Sequence, residues 1–179
     1  KPAPPFITST LQQEASRKLG MTPKRTMAIA QQLSEGIDIA GEGPVGLITY
    51  MRTDSLRLSD DATAAARDFI LGRYGERYYY GQPRSFKAKA GAQDAHEAIR
   101  PSNVQLDPED IRKSLSSDQY KLYRLIWSRF VACQMADAVY ETVAIDTVSA
   151  GHLFRANHQS LKFAGFTAVY EEGKDDEQE

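Results

Sequence analysis

Hydrophobic side chains recur every three or four positions in three stretches of the first half of the chain, and this spacing predicts amphipathic helices. The stretches cover residues 9–20, 22–36 and 59–75. Each begins with a serine or threonine that can cap the first N–H groups of a helix, and each ends at a glycine. Only a short turn separates the first two, so we expect a helix-turn-helix pair near the N-terminus.

Two further helices are predicted in the second half of the chain. A short one begins at Asp107-Pro108 and extends to about Leu115. A longer one, capped by Ser117, carries an aromatic stripe toward Met135, and we expect that stripe to lie in the core.

From Val139 onward the pattern changes to a period of two, which is typical of a β-strand. Turn residues at Gly151 and Asn157, and another strand at 161–163, complete an antiparallel β segment. The predicted fold class is therefore α+β and mainly α, with helix-turn-helix elements followed by a partial antiparallel β segment.

The charge of the chain is concentrated at its C-terminal end. The net charge is −2 and the last nine residues, EEGKDDEQE, carry −5, so residues 1–170 carry +3. We divide the chain into a helical domain over residues 1–136, a β segment over 137–170 and an acidic disordered tail over 171–179. The chain begins without a methionine and ends in that tail, so we expect it to be a piece of a longer protein.

The composition is that of an ordinary globular protein, with 41% hydrophobic and 26% charged residues. No apolar run approaches the ~20 residues of a membrane span, so we expect no contact with a membrane. A single cysteine, Cys133, excludes an internal disulfide framework and fits a reducing cytoplasm; we expect it to be a small buried residue. With one cysteine and three scattered histidines, the spacing offers no zinc site.

The chemically suggestive stretch is GLITYMRTDS at positions 46–55. Val45, Leu47 and Ile48 predict a short buried strand, and if the extended backbone continues, Tyr50 and Arg52 share one face. A phenol beside a guanidinium suits attack on a phosphodiester, because the arginine can hold the phosphate oxygens and favours the phenolate. The alternative is that the tyrosine packs and the arginine is a solvated neighbour.

Three segments of the sequence favour the interpretation that Tyr50 attacks a phosphodiester. GLITYMRTDS, together with PFITSTLQQEA at 5–15 and AHEAIRP at 95–101, resembles the motifs of bacterial type IA DNA topoisomerases, in the same order along the chain. The similarity continues through LKFAGF at 161–166 and covers about residues 5–170. The resemblance implies that residues 1–136 hold the nucleophile domain and that 137–170 form part of a strand-built arch.

The resemblance implies a reaction as well as a fold. Tyr50 would attack the backbone of single-stranded DNA to give a 5′-phosphotyrosyl link, with Arg52 as its catalytic support, and religation would follow without ATP. Negative supercoils would thereby be relaxed. The family carries an acidic Mg²⁺-binding domain that this sequence lacks, so the metal ligands would lie outside the chain and the fragment alone would be weak or inactive.

Several cations are candidates for contact with DNA. His96 lies in a motif that the family keeps near the scissile DNA, so we expect it to contact a phosphate or to steady an attacking or leaving oxygen. Arg100 follows in the same motif, where it either binds DNA or joins Glu97 in a network that orients the loop. The remaining candidates are in the start of the second helix or in the long segment 78–103, and each is either a phosphate contact or a solvated charge: Lys24, Arg25, Lys87 and Lys89.

Two other classes of protein are weighed against this one. A helix-turn-helix binding module without chemistry would leave the 46–55 motif unexplained, and its second helix lacks the usual base-reading residues near its start. A tyrosine recombinase or a type IB enzyme would surround the tyrosine with several arginines in another order. An incomplete β segment would also expose a strand edge, so we expect possible self-association after Val139.

Overall fold

The fold is known from a computed structural model, which describes residues 1–41, 43–87 and 96–173. In these ranges four α-helices, α1 to α4, are followed by a long β-hairpin, and the predicted α+β, mainly α class is confirmed. The helices are α1 (Thr8–Leu19), α2 (Pro23–Glu35), α3 (Asp60–Tyr74) and α4 (Ser117–Cys133). The strands are β1 (Ile37–Asp38), β2 (Pro44–Val45), β3 (Val139–Ser149) and β4 (His152–Phe163). None of the described helices combines the length and apolar character that a membrane span requires.

The helix starts follow the cap signals of the sequence, with two corrections. Thr22 and Ser59 accept hydrogen bonds from N–H groups in the first turns of α2 and α3, as predicted. The N-cap of α1 is Ile7, two residues before the predicted cap Ser9, and the Thr10 hydroxyl accepts the Ile7 N–H there at 3.1 Å. The cap of α4 is Ser116 rather than its neighbour, and it exchanges hydrogen bonds with Gln119 in a capping box.

The predicted short helix over residues 107–115 is wrong. The segment is a series of turns that ends in a 3₁₀ turn at Arg112–Ser114. The Asp107 carboxylate does make the hydrogen bond of a helix cap, since it accepts the Glu109 N–H at 2.9 Å, and it also pairs with Arg73 of α3. The cap is formed, but the turns that follow it do not continue as an α-helix.

The core forms around α4, which packs against α1 and α2. Its aromatic stripe is buried, as predicted; Tyr123 and Phe130 are almost completely enclosed. The Trp127 ring meets Phe69 of α3 edge to face at 5.3 Å, and its indole N–H donates to the Val104 carbonyl at 2.9 Å. Cys133 is fully buried, and this burial raises the pKa of its thiol to about 12, so it is a packing residue.

A buried polar cluster ties the two ends of the described chain to the helices. The Arg129 guanidinium is 4% exposed and donates to the Pro4 carbonyl at 2.5 Å and to the Tyr170 hydroxyl at 3.1 Å. That hydroxyl donates to Glu14 at 2.6 Å, and the Gly173 N–H reaches the same carboxylate at 3.0 Å. Burial alone would raise the pKa of Glu14, but these hydrogen bonds together hold it below its ordinary value.

Beyond the helices, β3 and β4 form one antiparallel hairpin. The pairing runs from Val139 opposite Phe163 to Ser149 opposite His152, with the turn at 150–151. The predicted turn at Asn157 is wrong, because this residue pairs with Ala144 in the regular part of the ladder, between Tyr140 and Ser149. The backbone hydrogen bonds of the ladder outweigh the turn preference of a single asparagine.

Both faces of the hairpin are open to solvent. Every residue of β3 is exposed, and so are nearly all residues of β4. Large hydrophobic side chains stand about half exposed or more along it: Val139, Tyr140, Val143, Ile145, Val148, Leu153, Phe154 and Leu161. Side chains of this kind are an interaction surface rather than a core.

The root of the hairpin, where β3 begins at Val139 and β4 ends at Phe163, contacts the helical body at a few places. Phe163 packs on Tyr78 with ring centroids 4.9 Å apart. Arg84 donates to the Met135 carbonyl at 3.1 Å and pairs with Asp137, so it joins the segment after α3 to the start of the hairpin. Gly165 adopts φ +51°, and a Cβ there would lie 2.6 Å from the Ala136 carbonyl oxygen.

Replacing Gly165 with alanine should therefore destabilise the protein much more than replacing Gly151. Both glycines have positive φ, but nothing lies within 4 Å of the Cβ position at Gly151. Gly151→Ala should cost about 1 kcal/mol from backbone strain alone, whereas Gly165→Ala should cost more than ~2 kcal/mol because backbone must also move. Urea titration of the two variants measures the difference, and equal midpoints would show that the root is not tightly packed.

The exposed hairpin should make the chain self-associate, because each strand has a free edge with hydrophobic neighbours. Ile145→Lys places a charge among these side chains and should reduce association. Leu71→Lys is the matched control, since it replaces an exposed hydrophobic residue of α3 outside the hairpin. Sedimentation velocity at rising concentration tests this; a monomer at all concentrations, with or without residues 139–170, would contradict it.

Candidate active site

Tyr50 and Arg52 lie on an extended segment whose side chains alternate between solvent and core. Tyr50 is 50% exposed and Arg52 is exposed, while Met51 and Thr53 on either side of Arg52 are buried. The expectation that the two side chains share one face therefore agrees with their exposure. The regular strand ends earlier than predicted, at Val45, and the chain bends at 51–52.

The segment enters the site across the end of α2. The Leu47 N–H donates to the Leu33 carbonyl at 2.7 Å. At Gly46 a Cβ would lie 2.9 Å from the Ser34 carbonyl oxygen. Only glycine lets the backbone come this close to the helix, which explains the first residue of the 46–55 motif.

Thr49 fastens this segment to the one that carries His96. Its hydroxyl donates to the Ala98 carbonyl at 2.7 Å and accepts the Arg100 N–H at 3.0 Å. Backbone hydrogen bonds from Thr49 to the Arg100 carbonyl and from Ser102 to the Leu47 carbonyl extend the contact. Two motifs about fifty residues apart are thus held in antiparallel contact.

Thr8, the first residue of α1, fastens the other side. Its hydroxyl donates to the Met51 carbonyl at 2.8 Å and accepts the Thr53 N–H at 2.9 Å, and its own N–H donates to the Thr53 carbonyl at 3.0 Å. The backbone on both sides of Arg52 is therefore fixed by one side chain. Sequence reasoning missed Thr8 as a site residue, although it lies in the 5–15 motif.

The fixed segments line an open pocket of about 660 Å³, and Tyr50, Arg52 and His96 all lie on its surface. The Tyr50 and His96 rings are 5.7 Å apart between centroids and inclined at 37°. The other residues that line the pocket come from the start of α1 and from the Tyr50 segment: Ile7, Thr8, Ser9, Gln12, Thr53 and Asp54. The pocket combines a phenol hydroxyl with two side chains that can bind phosphate oxygens.

Arg100 lies outside this pocket. Its guanidinium is largely buried, donates to Glu97 at 2.8 Å and to the Pro101 carbonyl at 3.0 Å, and its donors are thereby used within the protein. This placement favours the network that orients the loop over direct contact with DNA.

Three of the other predicted DNA contacts are described, and they are away from the pocket. Lys24 and Arg25 are exposed at the start of α2, and Arg25 pairs with Asp118 of α4. Lys87 is exposed at the end of a described range and does not line the pocket. Lys89 falls outside the described residues.

The described part of the long segment 78–103 is partly used for packing. Tyr78 and Tyr79 pack against the core, and the Arg84 guanidinium stacks 3.4 Å from the centroid of the Tyr80 ring. These side chains fix the segment after α3 instead of offering open stacking surfaces.

The described residues contain no cluster of metal-ligating side chains. Within residues 1–41, 43–87 and 96–173, no three His, Cys, Asp or Glu side chains lie close enough together to hold a metal ion. Magnesium is usually held by one or two carboxylates together with substrate phosphates and water. Asp54 is the one carboxylate among the described side chains that line the pocket.

The chain belongs to the DNA topoisomerase family, whose family model matches residues 1–179. It is similar to the solved structure of full-length topoisomerase I from Thermotoga maritima, with 42% sequence identity and a TM-score of 0.81. That match covers 99% of this chain and 29% of the Thermotoga protein. The resemblance to topoisomerases found in the sequence is therefore confirmed.

Thr8→Val should loosen the Tyr50 segment selectively. The variant loses the hydrogen bonds of the hydroxyl to residues 51–53, which should cost about 2 kcal/mol, because buried backbone groups lose their partner. Thr10→Val is the matched control, since the Thr10 hydroxyl bonds only to nearby Ile7. Hydrogen exchange at the Thr53 amide should speed up in the first variant and not in the second; unchanged protection in both would contradict the role of Thr8.

Proposed function

We propose that this chain is the tyrosine-bearing part of a type IA DNA topoisomerase, which cleaves and rejoins single-stranded DNA and relaxes negative supercoils. The observation that carries the proposal is the exposure of Tyr50 and Arg52 side by side, opposite His96, on one open pocket. Membership of the topoisomerase family supports DNA as the substrate.

The proposed step is a transesterification. The Tyr50 oxygen attacks a backbone phosphorus and loses its proton, the bond from phosphorus to the 3′ oxygen breaks, and that oxygen takes up a proton. The products are a 5′-phosphotyrosyl link and a free 3′-hydroxyl. Because one phosphodiester replaces another, the hydroxyl can reverse the attack without ATP.

Arg52 and His96 have separate tasks in this proposal. Negative charge grows on the phosphoryl oxygens in the transition state, and Arg52 can bind two of them through its planar fork. His96 lies beside the nucleophile and binds the phosphate next to the break. The two ring centroids are 5.7 Å apart, so the phosphate would lie along the edges of the two rings and not between them.

We further propose that the site is completed by residues beyond this chain. The chain spans 29% of the Thermotoga protein, and its pocket has a single described carboxylate. Magnesium would then be held by ligands outside these 179 residues, and the fragment alone would show weak activity or none. We place the enzyme in the cytoplasm, where its DNA substrate would be.

The alternative is a helix-turn-helix module that binds DNA without chemistry. It would use the start of α2, but Arg25 there is already paired with Asp118. It would also not explain why Tyr50, Arg52 and His96 line the same pocket. Formation of a covalent adduct with DNA separates the two functions.

Tyr50→Phe should abolish the covalent adduct while the protein stays folded, because the variant lacks only the attacking oxygen. The test uses the full-length protein that contains this chain, Mg²⁺ and a labelled single-stranded oligonucleotide, with denaturant to trap the adduct. Arg52→Ala should slow cleavage by about 10²–10³, the cost of one preorganised donor, and Arg52→Lys should recover part of that loss.

Tyr80→Phe is the control for the loss of a phenol oxygen, since Tyr80 is exposed and lies outside the pocket. It should form the adduct at the normal rate. An adduct that persists in Tyr50→Phe would refute the proposed reaction, and DNA binding without an adduct in the unaltered full-length protein would favour the binding module.

A further inference from the structure

A second basic pocket lies where the C-terminal end of α1 meets α4. It has a volume of about 260 Å³, and three cations line it: Lys18 from α1 and Lys121 and Arg124 from α4. Leu19 and Leu125 form apolar walls between them. One acid, Glu171, stands at the rim, so cations outnumber acids by three to one.

Lys121 and Arg124 are suited to binding an anion. They are three positions apart on α4 and therefore project from the same side of the helix. Both side chains are exposed, and neither has an ion pair in the part of the chain that the structure describes. Two adjacent cations without a carboxylate partner repel each other, and a bound anion would relieve that repulsion.

Lys18 completes the pocket from the opposite wall. Its ammonium lies 4.0 Å from the centre of the Tyr170 ring and 3.9 Å from the Glu14 carboxylate. Burial lowers its pKa, and Arg129 nearby acts in the same direction. An anion in the pocket would offset both effects.

This pocket is distinct from the one around Tyr50. Thr8 at the first pocket and Lys18 at the second are ten residues apart on α1, about 15 Å along the helix axis. One phosphate could not contact both pockets at this spacing, but a short single strand of DNA could. A single strand extends several ångströms per nucleotide, so a few nucleotides would reach from one pocket to the other.

The start of α2 meets α4 one helical turn from Lys121. Asp118 of α4 accepts the Arg25 Nε–H there at 3.0 Å, so the charge of Arg25 is paired. Lys24 lies next to Arg25 and is exposed. Neither residue lines this pocket, so the anion site consists of Lys18, Lys121 and Arg124.

We infer that the pocket between α1 and α4 binds a backbone phosphate of single-stranded DNA, as a second contact remote from the break. Arg124 would hold two phosphate oxygens, Lys18 and Lys121 would add charge, and the leucine walls would pack against sugar or base. The inference rests on the proposed function in one respect, namely that DNA is the ligand. It assigns no chemistry to the pocket.

The test measures binding of a fluorescent oligo-dT by anisotropy at several salt concentrations, in the full-length protein with Tyr50→Phe to prevent cleavage. Lys121→Gln/Arg124→Gln should weaken binding about tenfold at low salt. It should also reduce the slope of log affinity against log salt by roughly 1.4, the value for two phosphate contacts on a single strand. Both residues are exposed, so the variant should unfold at the same urea concentration as its parent.

The control is Arg67→Gln/Arg155→Gln, which removes the same charge from surface positions outside both pockets. If the two double variants bind oligo-dT with equal affinity and salt slope, the inference is overturned. It is also overturned if poly-glutamate competes as well as unlabelled oligo-dT at equal charge, since the pocket would then be an acidic-peptide site. Covalent adduct formation by the variant with Tyr50 intact, at saturating DNA, reports separately on the proposed reaction.

Discussion

The buried guanidinium of Arg129 holds together the part of the molecule that supports the Tyr50 site. Arg129 is almost wholly removed from water, and a buried charge is tolerated only where its donors are bonded. Its partners are the Pro4 carbonyl, the Tyr170 hydroxyl and the carboxylate of Glu172. These partners come from the two ends of the described chain, so α4 cannot bury this residue without bringing both ends to α1.

The position of the N-terminal segment then determines the geometry around Tyr50. Phe6 lies under the Arg129 guanidinium, 4.6 Å from it, and its carbonyl accepts the Ile99 N–H at 2.8 Å. Two residues further on, Thr8 holds the backbone at 51–53. Each contact joins segments that are far apart in sequence, so the site forms only when the whole helical body has folded. The backbone of the site is thus fixed while the side chains of Tyr50 and Arg52 stay exposed.

Features that depend on neighbouring residues could be predicted from the sequence, whereas features that depend on residues far apart in the chain could not. Thr22, Ser59 and the glycines that end the helices act on neighbouring residues, and they were predicted correctly. The predictions at Asp107 and Asn157 were wrong because each rested on the preference of one residue. The contacts that decide the structure there come from distant residues and are not visible in the sequence. In the site, alternation along the chain indicated the common face of Tyr50 and Arg52. The pairing of Thr8 with Thr53 could not be predicted, since a hydroxyl forty-five positions away leaves no periodic signal.

The slender attachment of the hairpin has a mechanical consequence. Strand β3 has 11 residues and is about 36 Å long, whereas its root is secured by a handful of contacts near Gly165 and Phe163. The hairpin is thus a lever whose fulcrum lies at one edge of the helical body. A rotation of about 10° at the fulcrum displaces the tip by about 6 Å, the width of more than one strand. Force applied at the tip would in turn reach the helical body through Arg84 and Tyr78, the two side chains that brace the fulcrum.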